Sequence, residues 1–243
     1  MVSLGPLHAK RYCTYSCPFC YVNAQYGSFG SLGIPDIIGW VAAQDQSSFE
    51  TIYVSGDTDS FAPPRLRLGV RLLQQLSFFG KDLLFTTRAP FDAEAMDAVG
   101  RLSEQLRSRG HWLFGCVSIA QLTVPHLEPR PVPAPAVRAA QLAEFRRRGL
   151  VAVLALRPFL PVVPLSDYAA ILDLCDNSVD IVLGEDWYAD VGGRLEEGVF
   201  QGQPPSGETV RGTMSFDSNT AEWKIYKLEA HEDFVRGECG RRG

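Results

Sequence analysis

Three cysteines fall within eight residues, as Cys13-Thr14-Tyr15-Ser16-Cys17-Pro18-Phe19-Cys20. A CxxxCxxC triplet on one loop offers three thiolates to one inorganic centre. Iron–sulfur clusters are ordinarily held by four cysteines. Three ligands therefore leave one iron of a cubane open, and an open coordination position is where a metal centre can take up a reactant. Two plainer readings stand beside this one. His8 could complete a zinc site, although zinc sites usually carry paired CxxC or HxxxH units and no second pair occurs here. A disulfide framework suits small secreted chains, and this length needs no staples. The other cysteines, Cys116, Cys175 and Cys239, are scattered singly.

The spacing, with an aromatic directly before the third cysteine, resembles the radical S-adenosylmethionine (radical SAM) superfamily over about residues 5–190. The resemblance implies a 4Fe–4S cluster on Cys13, Cys17 and Cys20 and SAM chelated at the open iron. It also implies reductive cleavage of SAM to methionine and a 5′-deoxyadenosyl radical, which takes hydrogen from a substrate. Such an enzyme needs a one-electron donor such as flavodoxin or ferredoxin. Three segments are similar to spore photoproduct lyase-like members: Thr-Asp-Ser-Phe-Ala-Pro at 58–63, Leu-Phe-Thr-Thr-Arg at 84–88 and Ala-Leu-Arg-Pro-Phe-Leu-Pro at 155–161.

The 243 residues carry 23 basic and 28 acidic side chains, a formal charge of −5. That balance argues against a nucleic-acid duplex as partner, since grip on a phosphate backbone needs a basic stripe. The one dense basic run, Arg146-Arg147-Arg148, ends a predicted helix, where cations complement the helix dipole. The longest apolar stretch, 150–163, is broken by Arg157, Pro158 and Pro161, so no membrane span is expected. The first residues show no export signal. Together with the need for reduced thiolates, this predicts a cytoplasmic protein.

Short apolar runs alternate with longer amphipathic segments, the pattern of β/α units around a parallel sheet. Strands are predicted over 7–11, 51–55, 83–87, 112–119, 151–156 and 180–183. Helices are predicted over 34–44, 65–78, 92–109, 132–148 and 166–176, with Ser166 as the last N-cap and Gly110 and Gly149 closing two of them. Six units match the partial (β/α)6 TIM-type barrel that the resemblance implies. The expected organisation is a barrel over 1–190 and a short loop-rich extension over 191–243 that packs on it. Residues 223–228 could add a strand there, and the tail 237–243, with Cys239, reads as mobile.

In such barrels the reactive groups sit at the C-terminal ends of the strands. Ser55, Gly56 and Asp57 follow the second strand, where the family's Gly-Gly-Glu-like segment meets the SAM ammonium; Ser-Gly-Asp departs from it, and an Asx-rich turn would have the same composition. Thr87 and Arg88 end the third strand, and Arg157 ends the fifth. An arginine closing a buried apolar strand needs an anion. The resemblance offers SAM's carboxylate, and an ordinary salt bridge is the alternative. By strand alternation Cys116 and Ser118 share a face. If that face is the barrel interior, Ser118 meets SAM and the Cys116 thiol could return a hydrogen atom to a substrate radical; an inert buried thiol is the plainer reading. The resemblance also places Phe19, Tyr21 and Leu183 beside the cosubstrate. Asp59, Glu185, Asp186, Trp187 and Tyr188 are candidate substrate contacts at the mouth, the aromatics alternatively being core cover.

The sequence thus points to a radical SAM enzyme acting on a small molecule, of unresolved reaction class. A nucleic-acid lesion lyase or base-modifying enzyme, cleavage of a different SAM carbon–sulfur bond, activation of a glycyl-radical partner and a non-catalytic iron–sulfur or zinc module stay open as alternatives.

Overall fold

The chain builds β1 (Val2–Leu4), α1 (Ile34–Ala42), β2 (Thr51–Val54), α2 (Leu66–Leu76), β3 (Asp82–Thr87), α3 (Ala93–Arg107), β4 (Leu113–Ser118), α4 (Pro135–Arg147), β5 (Val151–Ala155), α5 (Leu165–Leu174) and β6 (Ile181–Leu183). These are seen in a computed structural model that describes residues 1–4, 13–24, 32–56, 58–213 and 222–242. The six strands pair in sequence order, and every pairing is parallel. The expected α/β architecture, a partial (β/α)6 barrel sheet, is what forms. The strand predicted over 7–11 lies outside the described residues, and β1 precedes it.

Alternation sorts each strand into two faces. Ile52, Val54, Leu83, Phe85, Leu113, Val117 and Leu154 are buried in the main core. There the Phe85 ring lies 5.5 Å from Phe145 of α4, edge-on. The opposite, inner face carries Tyr53, Leu84, Thr86, Phe114, Cys116, Ser118, Val153 and Ala155. Register fixes their rows: Tyr53 beside Leu84, Thr86 beside Cys116, Cys116 beside Val153 and Ser118 beside Ala155. Cys116, Val153 and Ala155 form a small cluster of their own, separate from the main core.

Local chemistry sets the helix ends. Asp92 caps α3 by accepting from the Ala95 amide at 2.9 Å, which satisfies an otherwise orphaned donor. Beyond α4, Gly149 takes φ +79°, a left-handed conformation that glycine reaches without a Cβ penalty. Helix α5 starts earlier than expected: Pro164, two residues before Ser166, is its N-cap, and Ser166 lies inside it. The basic run at the end of α4 is taken up by acids, Arg146 with Asp180, Arg147 with Glu144 and Arg148 with Asp97 and Glu144.

The segment after β6 is not loop-rich. It forms β7 (Trp187–Asp190), α6 (Arg194–Phe200), β8 (Glu208–Thr213), β9 (Glu222–Lys227) and α7 (Glu229–Arg242). The strands make an antiparallel sheet in the order β7-β9-β8. Strand β7, before residue 191, belongs to this sheet through its pairing with β9. Within the tail expected to be mobile, residues 237–242 are helical and tied down by Arg242 to Asp173 at 2.7 Å, and Cys239 is half-buried. The glycines at 237 and 240 misled because composition marks a turn only where no packing partner overrides it. No described helix is long and apolar enough to cross a membrane.

Candidate functional site

Cys13, Cys17 and Cys20 lie on a loop at the edge where the strands end. The Cys20 amide donates to the Cys17 carbonyl at 3.1 Å, and a 3-10 turn over Tyr21–Asn23 follows. None of the six cysteines forms a disulfide. Among the described residues, no three His, Cys, Asp or Glu side chains converge as ligands of a single metal ion would. A cubane asks for something else, one thiolate to each of three irons. Cys17 is buried, and burial pushes its thiol up to about 12 against the opposing pull of Arg88. A bare thiol there stays protonated; a coordinated metal cation is what turns such a group into a thiolate.

Two contacts from the extension hold this loop. Trp187 is buried, and its indole Nε1 donates to the Phe19 carbonyl at 3.0 Å. Its ring stacks on Tyr226 with centroids 4.8 Å apart. A Cβ at Gly198 of α6 would come within 2.8 Å of the Pro18 Cβ, so only glycine lets that helix rest on the loop. Trp187 is therefore core that secures the cysteine loop, not a residue at the mouth. Tyr21 sits edge-on to Trp223 of β9 at 6.4 Å.

Beneath the loop lies a chain of buried charges. Arg88 lies over the Phe19 ring at 5.6 Å and donates from Nε to Glu128 at 3.0 Å. Burial alone would lower its pKa, but Cys17, Glu128 and Cys20 together hold the guanidinium well above its ordinary value. Glu128 also takes both terminal nitrogens of Arg138, at 2.8 and 2.6 Å. Arg138 continues to the Ser118 carbonyl at 2.5 Å. The path thus runs from the cysteine loop through partly buried Arg88 and buried Glu128 and Arg138 to the end of β4. Burial pushes the Glu128 carboxyl up, yet the two arginines win and hold it below its ordinary value.

A second device ties β2 to β3. Asp59 is buried and accepts from Thr87 Oγ1 at 3.0 Å with each oxygen, from the Arg88 amide at 2.6 Å and from the Phe61 amide at 3.0 Å. The Thr87 hydroxyl in turn accepts from the Ala89 amide at 2.8 Å. Asp59 and the Thr87 side chain are committed to the loop itself, away from the ligand contacts expected of them. Nearby, Ser55 adopts φ +67°, rare outside glycine, and its hydroxyl accepts from the Ser60 amide at 3.0 Å. Strain of this kind at a strand end redirects the backbone and gathers at functional sites. Gly56 follows; Asp57 lies outside the described residues.

Further down the inner face, Arg157 donates to the Tyr53 hydroxyl, which bonds Thr86 Oγ1 at 2.9 Å. Cys116 lies in register beside Thr86, fully buried, its thiol raised by burial. Leu183 lines the same face, and its carbonyl accepts from the Leu156 amide at 2.8 Å. Glu185 is half-buried 3.8 Å from Arg157, and burial raises its carboxyl. Asp186 pairs with Lys227 at 2.8 Å and accepts from the Leu228 amide, so it joins the barrel to the extension. Tyr188 is half-buried on β7, opposite Ile225.

Four buried polar atoms at this edge, Tyr15 Oη, Thr58 Oγ1, Ser60 Oγ and Ser118 Oγ, have no hydrogen-bond partner among the described residues. Such atoms are costly unless something answers them, and a polar cosubstrate would. That, with the cysteine loop and Arg88 beside it, fits a cluster with SAM. Sequence reasoning missed Glu128, Arg138, Tyr53 and Thr86. One signal was available: Arg138 stands in the buried stripe of α4 with Leu142 and Phe145, and a cation on an apolar stripe demands a buried anion.

Neither a protein-family profile nor a curated protein matches the sequence. Solved structures do match in fold. Spore photoproduct lyase with bound AdoMet and dinucleoside spore photoproduct superposes with TM-score 0.69 at 13% identity, over 95% of this chain and 71% of that one. The radical S-adenosylmethionine methyltransferase TsrM from Kitasatospora setae, with cobalamin and a 4Fe–4S cluster bound, gives 0.59 at 11% identity, over 93% and 50%. The chain shares the partial-barrel fold of these two structures.

Proposed function

We propose that the protein is a radical SAM enzyme that holds a 4Fe–4S cluster on Cys13, Cys17 and Cys20 and acts on a small molecule. One observation carries this: the CxxxCxxC loop lies at the C-terminal edge of a six-stranded parallel sheet, secured from two sides, in the fold of proteins that bind AdoMet and such a cluster. When bound, a reduced cluster supplies one electron to SAM, giving methionine and a 5′-deoxyadenosyl radical that can take a substrate hydrogen. The electron would come from a donor such as flavodoxin or ferredoxin.

The chain's own residues do the positioning. Trp187 and Gly198 fix the cysteine loop, and Arg88 lays a cation beside two of its thiols. The redirected backbone at Ser55 and Gly56 faces the cosubstrate ammonium, and Ser118 Oγ gives it a hydroxyl. Phe19 and Leu183 line its apolar side. Cys116 keeps its hydrogen on Sγ because burial raises the thiol. An S–H is the form that can hand a hydrogen atom back to a substrate radical.

Anaerobic reconstitution tests the reading. The chain should take up about four irons and four sulfides, bind SAM by calorimetry and form 5′-deoxyadenosine on reduction. Cys17→Ala should lose all three. Bound zinc in place of iron and sulfide, or no uptake of SAM, would overturn it; methylthioadenosine would show that a different bond breaks.

A further inference from the structure

Arg157 leaves the end of β5 and turns across the inner face. One terminal nitrogen donates to the Tyr53 hydroxyl and reaches Thr86 Oγ1 at 3.5 Å. The guanidinium also lies over the Tyr53 ring at 5.7 Å. The other terminal nitrogen stands 3.8 Å from Glu185, beyond hydrogen-bond length. A guanidinium offers five N–H donors, and the hydrogen bonds it makes among the described residues go to neutral hydroxyls. A quarter of its side chain (25%) is exposed. Next to it Leu183, in register with Ala155 at the end of β5, is only half-buried, although it packs on the enclosed cluster around Cys116. A partly exposed cation with neutral hydroxyl partners and an apolar neighbour is the composition of a ligand site.

The structure separates the two arginines that the sequence assigns alike. Arg88 belongs to the cysteine loop through the Phe19 ring and the charges of Cys17 and Cys20. The charges that bear on Arg157 are Tyr53, Cys116 and Glu185. A cosubstrate held at the cysteines would meet Arg88.

We propose that Arg157 anchors the substrate, and that the substrate is a carboxylic acid. Guanidinium and carboxylate pair bidentately. Glu185 nearby favours a single negative charge over the double charge of a phosphate. As an account of catalysis this rests on the radical SAM reading, but the binding site does not.

The test uses the anaerobically purified chain in saturating SAM, with phenylacetate, phenylacetamide and benzylphosphonate as probes followed by ligand-observed NMR. Phenylacetate should bind about tenfold tighter than the neutral amide, the factor expected of one charge-assisted contact. Arg157→Gln should erase that ratio and Arg157→Lys should keep part of it. The acid-to-amide ratio in the unsubstituted chain needs no variant, so a folding defect leaves the test intact. Equal binding of acid and amide, tighter binding of the phosphonate, or loss of phenylacetate binding on adding SAM would each overturn the proposal, the last by returning Arg157 to the cosubstrate. If SAM itself does not bind while the acid-to-amide ratio holds, the radical SAM reading fails and this site stands.

Discussion

The Trp187 indole donates to the Phe19 carbonyl across 168 positions of sequence. The residue that packs the antiparallel sheet thereby fixes the loop that carries the three cysteines. The extension is part of the site's scaffold, and a defect in it should appear at the cysteines.

Trp187→Phe keeps an aromatic ring and removes the donor, leaving a buried carbonyl without its partner. A loss of about 2 kcal/mol is expected, read by urea titration. The same variant should retain less iron and sulfide after gel filtration of reconstituted protein. Loss of stability with full retention of the cluster would show that the loop holds its shape without Trp187.

Glu128→Gln leaves Arg88 and Arg138 facing a neutral amide in the interior. Breaking a buried ion pair in this way costs about 3–5 kcal/mol. The pH dependence has a definite sign. The folded carboxyl lies below its ordinary 4.5, so its contribution is present above 4.5 and fades as pH falls through the lower folded value. The stability gap between wild type and variant should therefore be full at pH 7 and shrink in acid. A gap that grows below pH 4.5 would contradict the assignment.

Ser118→Ala removes a buried hydroxyl that has no partner among the described residues. Stability should stay level or rise by up to about 1 kcal/mol. SAM affinity should fall by about fivefold, the loss of one net hydrogen bond. A melting scan and a calorimetric titration on one preparation separate the two effects; unchanged SAM affinity would remove Ser118 from the cosubstrate site.

Cys116 and Cys175 are buried, and burial raises both thiols, Cys175 to about 11. In the native chain at pH 8 both should resist iodoacetamide, while half-buried Cys239 reacts before them. Denatured protein should label at all six positions. Peptide mass spectrometry gives the order, and early labelling of Cys116 would mean that the inner face opens readily.

The sequence alone determined the cysteine loop, the repeated β/α pattern and the shared face of Cys116 and Ser118. All three are local: ligand spacing, apolar periodicity and strand alternation act over a few residues and need no tertiary partner. Tertiary structure decided the rest. Only folding brings Arg157 to Tyr53, 104 positions away, or Arg88 to Glu128 and Arg138. The tail's glycines read as a turn until α7 found α5. Asp59 resembled a substrate contact until the Arg88 and Phe61 amides and the Thr87 hydroxyl claimed its oxygens. Side-chain identity fixes what a residue can bond, but long-range packing fixes which partner arrives first and therefore which groups are left over for a ligand.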